Sequence, residues 1–259
     1  MSGSDPTRRL LLGGALTGAA GASLAGCDKL AASPAVNERL GAAEGLNFHV
    51  QRLMLGRNAL AREYPPSAIA PDFRANGTTN PDSEDYQQHV ADGFKAWRLE
   101  IGGLVERPLS LSLDDLRQAP DRSQITRHDC VEGWSSIAKW KGARLGPLLD
   151  RAGVKPQAKY VAFFCADTLE LTLDGTGDYY ETIDLADAHH PQTLLAYEMN
   201  DQPLPVAHGA PIRLRLERQL GYKMAKYVMR IELIDSFAKL GQGKGGYWED
   251  RGYQWYAGI

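Results

Sequence analysis

The pattern of apolar and polar positions divides the chain near residue 95. From Asp28 to Lys95 the sequence is rich in Ala, Pro and Asn, is punctuated by YPPSAIAP and NGTTNPD, and shows little sustained period. Residues 28–95 therefore read as a tether followed by an irregular segment that wraps the domain. Beyond it the periods sharpen. WRLEIGGLV alternates as a strand does, and Ser112 with Asp115 predicts a capping box that opens a short helix stopping before Pro120. SQITRHDC predicts a strand that delivers Cys130 to its end. RLGPLLDRAG predicts a helix of a turn or two closed by Gly153, while KYVAFFCAD and LELTLD predict strands. IDLADAHHP predicts a short helix stopped by Pro191. TLLAYEMN, APIRLRLER and KYVMRIELIDSF then predict three more strands, the last two suited to a pleated, half-buried surface. Strands outnumber helices, and the helices are short. The pattern points to an α+β fold with mixed, mainly antiparallel sheets rather than a regular βαβ winding.

At 259 residues the chain is long enough for one main domain, expected over 96–259, with an extension. A net charge of -3 lacks the basic footprint of nucleic-acid binding, so small molecules or proteins are the expected partners. The start of the chain changes the picture more. Arg8 and Arg9 precede a Gly- and Ala-rich run from Leu10 to Gly26, and Leu24-Ala25-Gly26-Cys27 follows the order of a bacterial lipobox. Residues 1–27 read as an export signal. The paired arginines resemble the twin-arginine address for export of folded proteins. Acylation of Cys27 would tether the mature protein, and Asp28 points to the inner membrane facing the periplasm.

Three cysteines, Cys27, Cys130 and Cys165, make no disulfide framework. The chain has no G-x-x-x-x-G-K-[ST] loop, no H-E-x-x-H helix, no G-x-S-x-G elbow and no C-x-x-C-H haem attachment. GQGKGG at 241–246 lacks phosphate-loop spacing and reads as a loop. Electron transfer therefore needs another cofactor or another protein.

Cys130, in RHDCVEGWS, admits three roles: apolar filler, nucleophile or metal ligand. His128 is two residues away, but on an extended strand such side chains stand roughly 7 Å apart, too far for direct proton transfer. A ligand role calls for a soft or high-valent metal. Composition does not choose among the three.

DCVEGWS, followed by LLAYEMNDQPLPVAHGAPIRL and GYKMAKYVMRIEL, resembles the sulfite oxidase family of molybdopterin-dependent oxidoreductases, in order and across about residues 70–259. The resemblance implies that the Cys130 thiolate ligates molybdenum beside the two dithiolene sulfurs of a pyranopterin. It places His208, Arg213 and Lys226 at the positions that grip pterin and phosphate, with Met224 and Ala225 contributing backbone groups. Asn76 in FRANGT becomes a cofactor contact and Arg74 a pocket-wall residue. Cys165 in FFCAD falls at a pterin-contact position, although core packing explains it equally well.

Other residues carry simpler readings. His189 and His190 mark a helix end, because adjacent residues do not share a helix face. Asp114 and Asp115 suit a helix's first turn. The tail GYWEDRGYQWYAGI is expected to pack across the sheet, with a substrate funnel as its other reading.

Sulfite-oxidising members of the family carry an arginine shortly after the ligand cysteine, whereas VEGWSS follows here. That departure and the export signal resemble the bacterial periplasmic reductase branch, which includes the catalytic subunit reducing protein methionine sulfoxide. FRANGT and QLGYKMAKYV depart from that enzyme's pattern and leave the substrate open. The expectation is a periplasmic molybdenum oxidoreductase acting on a small S-oxide or N-oxide, with no haem in this chain and a membrane cytochrome or small redox carrier as electron partner. The alternatives are a sulfite dehydrogenase with the same cofactor and a metal-free binding lipoprotein.

Overall fold

A computed structural model describes residues 33–259 of the protein except Arg57 and residues 174–176; the leader with Arg8, Arg9 and Cys27 lies outside them. The strands are β1 (Leu99–Gly103), β2 (Leu109–Leu111), β3 (Asp121–Asp129), β4 (Ser135–Arg144), β5 (Tyr160–Thr168), β6 (Asp178–Asp184), β7 (Leu194–Met199), β8 (Gln202–Pro203), β9 (Arg213–Arg215) and β10 (Val228–Ile234). One sheet runs β2-β1-β10-β5-β6 and the other β3-β4-β7-β8, with β9 paired to β7. Only β1 and β10 pair in parallel; the remaining pairs are antiparallel. The expected α+β class with mainly antiparallel sheets is what forms.

Both sheets turn apolar side chains into one core. Leu99, Ile101, Val161, Phe163, Ile183 and Ile231 from the first meet Ala143, Leu195, Tyr197 and Leu214 from the second. Helices are short, as the sequence predicts: α1 (Pro34–Leu55) is the exception, followed by α2 (Glu84–Ala91), α3 (Leu113–Gln118), α4 (Leu145–Ala152) and α5 (Leu185–Ala188). Ser112 and Asp115 close the predicted capping box on α3, and Gly153 caps α4.

Three expectations fail for physical reasons. The tether reading misses α1, which belongs to one compact unit while residues from Leu55 onward form the other. Its Ala, Leu, Glu and Arg supply helix propensity, but Leu46, Leu53 and Met54 are exposed, and among the described side chains of this helix none is buried. LELTLD is not a strand: Leu171 and Leu173 are fully exposed. The chain pairs Thr168 with Asp178 and turns, and the aromatic DYYETID run takes the place beside β5 as β6. Finally, β4 goes unpredicted although it is central, because its buried positions are mostly the small Ala138, Gly142 and Ala143 alternating with lysines.

Behind β6 lies a buried ion triad. Lys223 Nζ donates to Glu181 Oε1 and Glu249 Oε1, each at 2.5 Å, and all three side chains are essentially inaccessible. Burial and the neighbouring Glu249 push the Glu181 carboxyl well up. Burial opposes the charge on Lys223, but the two carboxylates more than offset it and raise its pKa. The triad ties the C-terminal segment to the first sheet. Lys223→Met strands two carboxylates in a dry site, and breaking such a pair costs about 3–5 kcal/mol. Thermal melts should show a drop of roughly 6–20 °C at the usual size scaling. Adding Glu181→Gln and Glu249→Gln should recover much of the loss; no drop in Lys223→Met would show that the triad is not stabilising.

A candidate cofactor cavity around Cys130

Cys130 follows the last residue of β3 and opens the turn to β4. Its N–H donates to Trp134 O at 2.9 Å, and Gly133 N–H donates to its carbonyl at 3.0 Å. The thiol is largely buried, and Asn76 Nδ2 lies 3.4 Å from Sγ. It sits on a cavity of about 160 Å³ where strand ends of both sheets converge.

The loop over residues 73–78 forms one side of this cavity and is pinned by residues far along the chain. Lys226 Nζ donates to Asn76 O at 2.8 Å and also to Thr78 O, and Tyr227 Oη donates to Thr78 O at 2.8 Å. Phe73 fills the angle between His208 (5.6 Å), Trp140 (5.5 Å) and His128 (5.8 Å). Arg74 stays at the mouth, 3.8 Å from Glu132 and 5.6 Å from the Trp134 ring centroid.

Deeper in, β9 presents Arg213, whose Nη1 donates to His208 O at 3.1 Å. Gly209, at φ +110°, allows the approach: a Cβ there would fall 2.9 Å from Lys226 Cβ and 3.2 Å from Arg213 Cβ. Gly221 makes room for the His128 ring in the same way, since its Cβ would lie 2.4 Å from Nε2. Burial, then the nearby cations, pushes the Arg213 guanidinium down to about 9, the Lys226 ammonium to about 8 and the His208 imidazole to about 4. Asp167 shifts the other way: burial raises it to about 6, with Lys226 partly opposing.

Two buried polar atoms here have no protein partner, Arg213 Nε and Asp167 Oδ1. A donor and an acceptor are thus both available to a ligand. Among the described residues no three His, Cys, Asp or Glu side chains converge on a metal position.

Seven of the nine sequence-predicted residues line this cavity: Cys130, Arg74, Asn76, His208, Arg213, Met224 and Lys226. Two do not. Cys165 sits on β5 opposite Val228, packed against the core, where burial raises its thiol well above the usual range. The Ala225 carbonyl accepts from Leu214 N–H at 2.8 Å, so a backbone hydrogen bond to β9 occupies it. Asp167, Tyr179 and Tyr222 also line the cavity and went unread, and Trp248 and Tyr253 join them from the aromatic tail. An acid ending the apolar run FFCAD was the available sign for Asp167. The tail does both things expected of it: Tyr247 is in the core, and Trp248 and Tyr253 face the cavity.

The sequence matches the family described as the oxidoreductase molybdopterin binding domain over residues 86–239. It is 38% identical over 253 residues, 98% of this chain and 88% of the relative, to the Azospira oryzae protein YedZ1, named as a subunit of a protein-methionine-sulfoxide reductase. It is 37% identical over 145 residues to the protein-methionine-sulfoxide reductase catalytic subunit MsrP of Xanthomonas axonopodis pv. citri, covering 54% of this chain and 45% of that one. The chain thus matches less than half the length of that enzyme. Among solved structures, the sulfane dehydrogenase SoxCD from Paracoccus pantotrophus aligns at TM-score 0.48 and 25% identity, covering 55% of this chain and 39% of that one. With its thiol, cations and unpartnered polar atoms on one cavity, this chain belongs to the molybdopterin-binding oxidoreductases.

Proposed function

We propose that the chain is a periplasmic molybdenum oxidoreductase that reduces a small S-oxide or N-oxide, exported by its twin arginines and tethered at the inner membrane through an acylated Cys27. The observation that carries the reading is the convergence of Cys130, His208, Arg213 and Lys226 on one cavity. The relatives named as methionine-sulfoxide reductase proteins favour an S-oxide.

The residues fit the cofactor. Cys130 offers a soft thiolate for molybdenum; Arg213 and Lys226 offer fixed charge for a phosphate. The Asp167 carboxyl offers an acceptor for N–H groups. When bound, the cofactor would supply the two-electron redox centre for R2S=O + 2 H⁺ + 2 e⁻ → R2S + H2O, with electrons from a membrane cytochrome or small carrier.

The chain's own part is positioning, exclusion of water and proton holding. Phe73, Trp134 and Trp248 give the cavity apolar walls. Asp167, whose carboxyl burial raises to about 6, can take up and release a proton near neutral pH. At the mouth, Arg74 comes with Glu132 beside it, which weakens its pull on an anionic substrate such as sulfite.

Protein from a molybdenum-replete host should contain about one Mo per chain, and Cys130→Ala should lose it, since a single thiolate is the protein's ligand. Molybdenum retained by Cys130→Ala would sink the assignment. Dimethyl sulfoxide should be reduced in preference to sulfite being oxidised; sulfite turnover alone would reverse the choice of substrate.

A second expectation concerns pH. The Asp167 carboxyl is raised in the folded state, so its protonated form is favoured, and stability is lost as pH rises from about 4 to about 6. In cofactor-free protein, Asp167→Asn should remove about 3 kcal/mol of pH-dependent destabilisation, read as the change between pH 4 and 7 in the difference of urea unfolding free energies. A difference that stays flat across that window would show Asp167 to be unshifted.

Export supplies a third check. Arg8→Lys with Arg9→Lys should leave the protein in the cytoplasm by cell fractionation; unchanged periplasmic recovery would remove the twin-arginine step.

A further inference from the structure

One wall of the cavity is explained neither by the metal nor by its phosphate. Trp248 and Tyr253 stack with centroids 5.3 Å apart at 29°, and Tyr222 meets Tyr253 edge-on at 5.1 Å and 88°. All three line the cavity. The Tyr222 hydroxyl donates to Gln254 O at 2.7 Å, and its carbonyl accepts from Tyr179 Oη at 2.5 Å, so this residue is fixed by polar bonds directed along the wall.

The wall is firmly held. Glu249 carries it onto Lys223. The Asp250 carboxylate accepts from Tyr180 Oη at 2.7 Å and from the backbone N–H groups of Gln242 and Lys244 at 2.9 and 3.1 Å. Arg251 bonds Glu170 at 2.7 Å and lies 3.6 Å over the Tyr247 ring. Each anchor lies within four residues of Trp248 or Tyr253. Such a fixed aromatic surface loses little entropy on binding.

We propose that Trp248, Tyr253 and Tyr222 form the apolar subsite for the carbon arm of a thioether S-oxide and set selectivity for S-oxides with an extended hydrophobic substituent. This rests on the S-oxide reading above. Aromatic faces and edges favour both apolar carbon and sulfur. Arg213 and Lys226 line the same cavity and remain available for anionic groups, so apolar and anionic parts of ligands meet different residues there.

The test compares methyl p-tolyl sulfoxide with dimethyl sulfoxide as substrates of the holoenzyme, and measures binding of the non-reducible methyl p-tolyl sulfone by calorimetry. Trp248→Ala and Tyr253→Leu should each lower the ratio of kcat/KM for the aryl over the dimethyl substrate roughly tenfold, mainly through KM, and weaken sulfone binding by a similar factor. Trp248→Phe should restore most of both. Molybdenum content and melting temperature report whether a variant has lost its cofactor or its fold. If wild type reduces neither sulfoxide yet binds the sulfone in a Trp248-dependent way, the S-oxide reading fails while the apolar subsite stands. An unchanged ratio and unchanged sulfone affinity in folded, molybdenum-loaded variants would overturn the subsite.

Discussion

A guanidinium with no water around it governs how the second sheet is put together. Arg215 is fully buried, so the interior must provide acceptors for its donors. Glu217 takes Nε and Nη2 at 2.9 and 2.8 Å, His128 Nδ1 faces Nη1 at 3.1 Å, and the Trp140 ring lies 4.3 Å away. Gln124 Nε2 donates to the same Glu217 at 3.0 Å. These partners stand on β3, β4, β9 and the residues just after it. They meet only when all three strands are in register, a stricter condition than apolar packing imposes. Because arginine only donates, His128 Nδ1 must accept, and burial and the neighbouring cations keep the ring neutral. The end of β3, and with it Cys130, is placed by that satisfied charge.

The cavity itself is built the opposite way, with charge left unsatisfied. Burial drives Arg213 and Lys226 well below their ordinary pKa values; Arg215 lowers Arg213 further, and Arg213 lowers Lys226 further. Lys226 makes do with backbone carbonyls of the 73–78 loop, while Arg213 keeps Nε without a partner. An anion entering between them would recover interactions that folding forfeited, so ligand binding and stability are linked here. Since both cations are buried, added salt screens them less than it would surface charges.

The parts legible in the sequence are those whose signal is local. A capping box is read from Ser112 and Asp115 alone, and the β3 strand ending at Cys130 follows from alternation. The site residues became readable by resemblance, since His208, Arg213 and Lys226 sit in motifs with characteristic spacing. What escaped was decided by tertiary context. Gly142 and Ala143 signal nothing by themselves, yet a Cβ at Gly142 would fall 2.3 Å from Leu195 O, so the residue is small because another strand passes there. Leu171 and Leu173 alternate like a strand but are left without one, because the β5 ladder resumes with residues further on. Asp167 stands within β5, and nothing in its local sequence signals that it is buried near Lys226.

The same asymmetry explains why the C-terminal segment matters more than its position suggests. Its sequence is dense in aromatic residues, which fits either packing or binding, and the structure divides the work residue by residue. Tyr247 enters the core, Trp255 stacks on Phe237 at 5.7 Å and donates to Thr182 Oγ1 at 2.9 Å, and Trp248 and Tyr253 are turned to the cavity. The proposed ring subsite would hold a ligand through area and dispersion, whereas Arg213 and Lys226 act through charge. The buried Lys223 triad, bridging Glu181 and Glu249, fixes the segment that carries Trp248 to the first sheet, so the rings have support that does not depend on the cations.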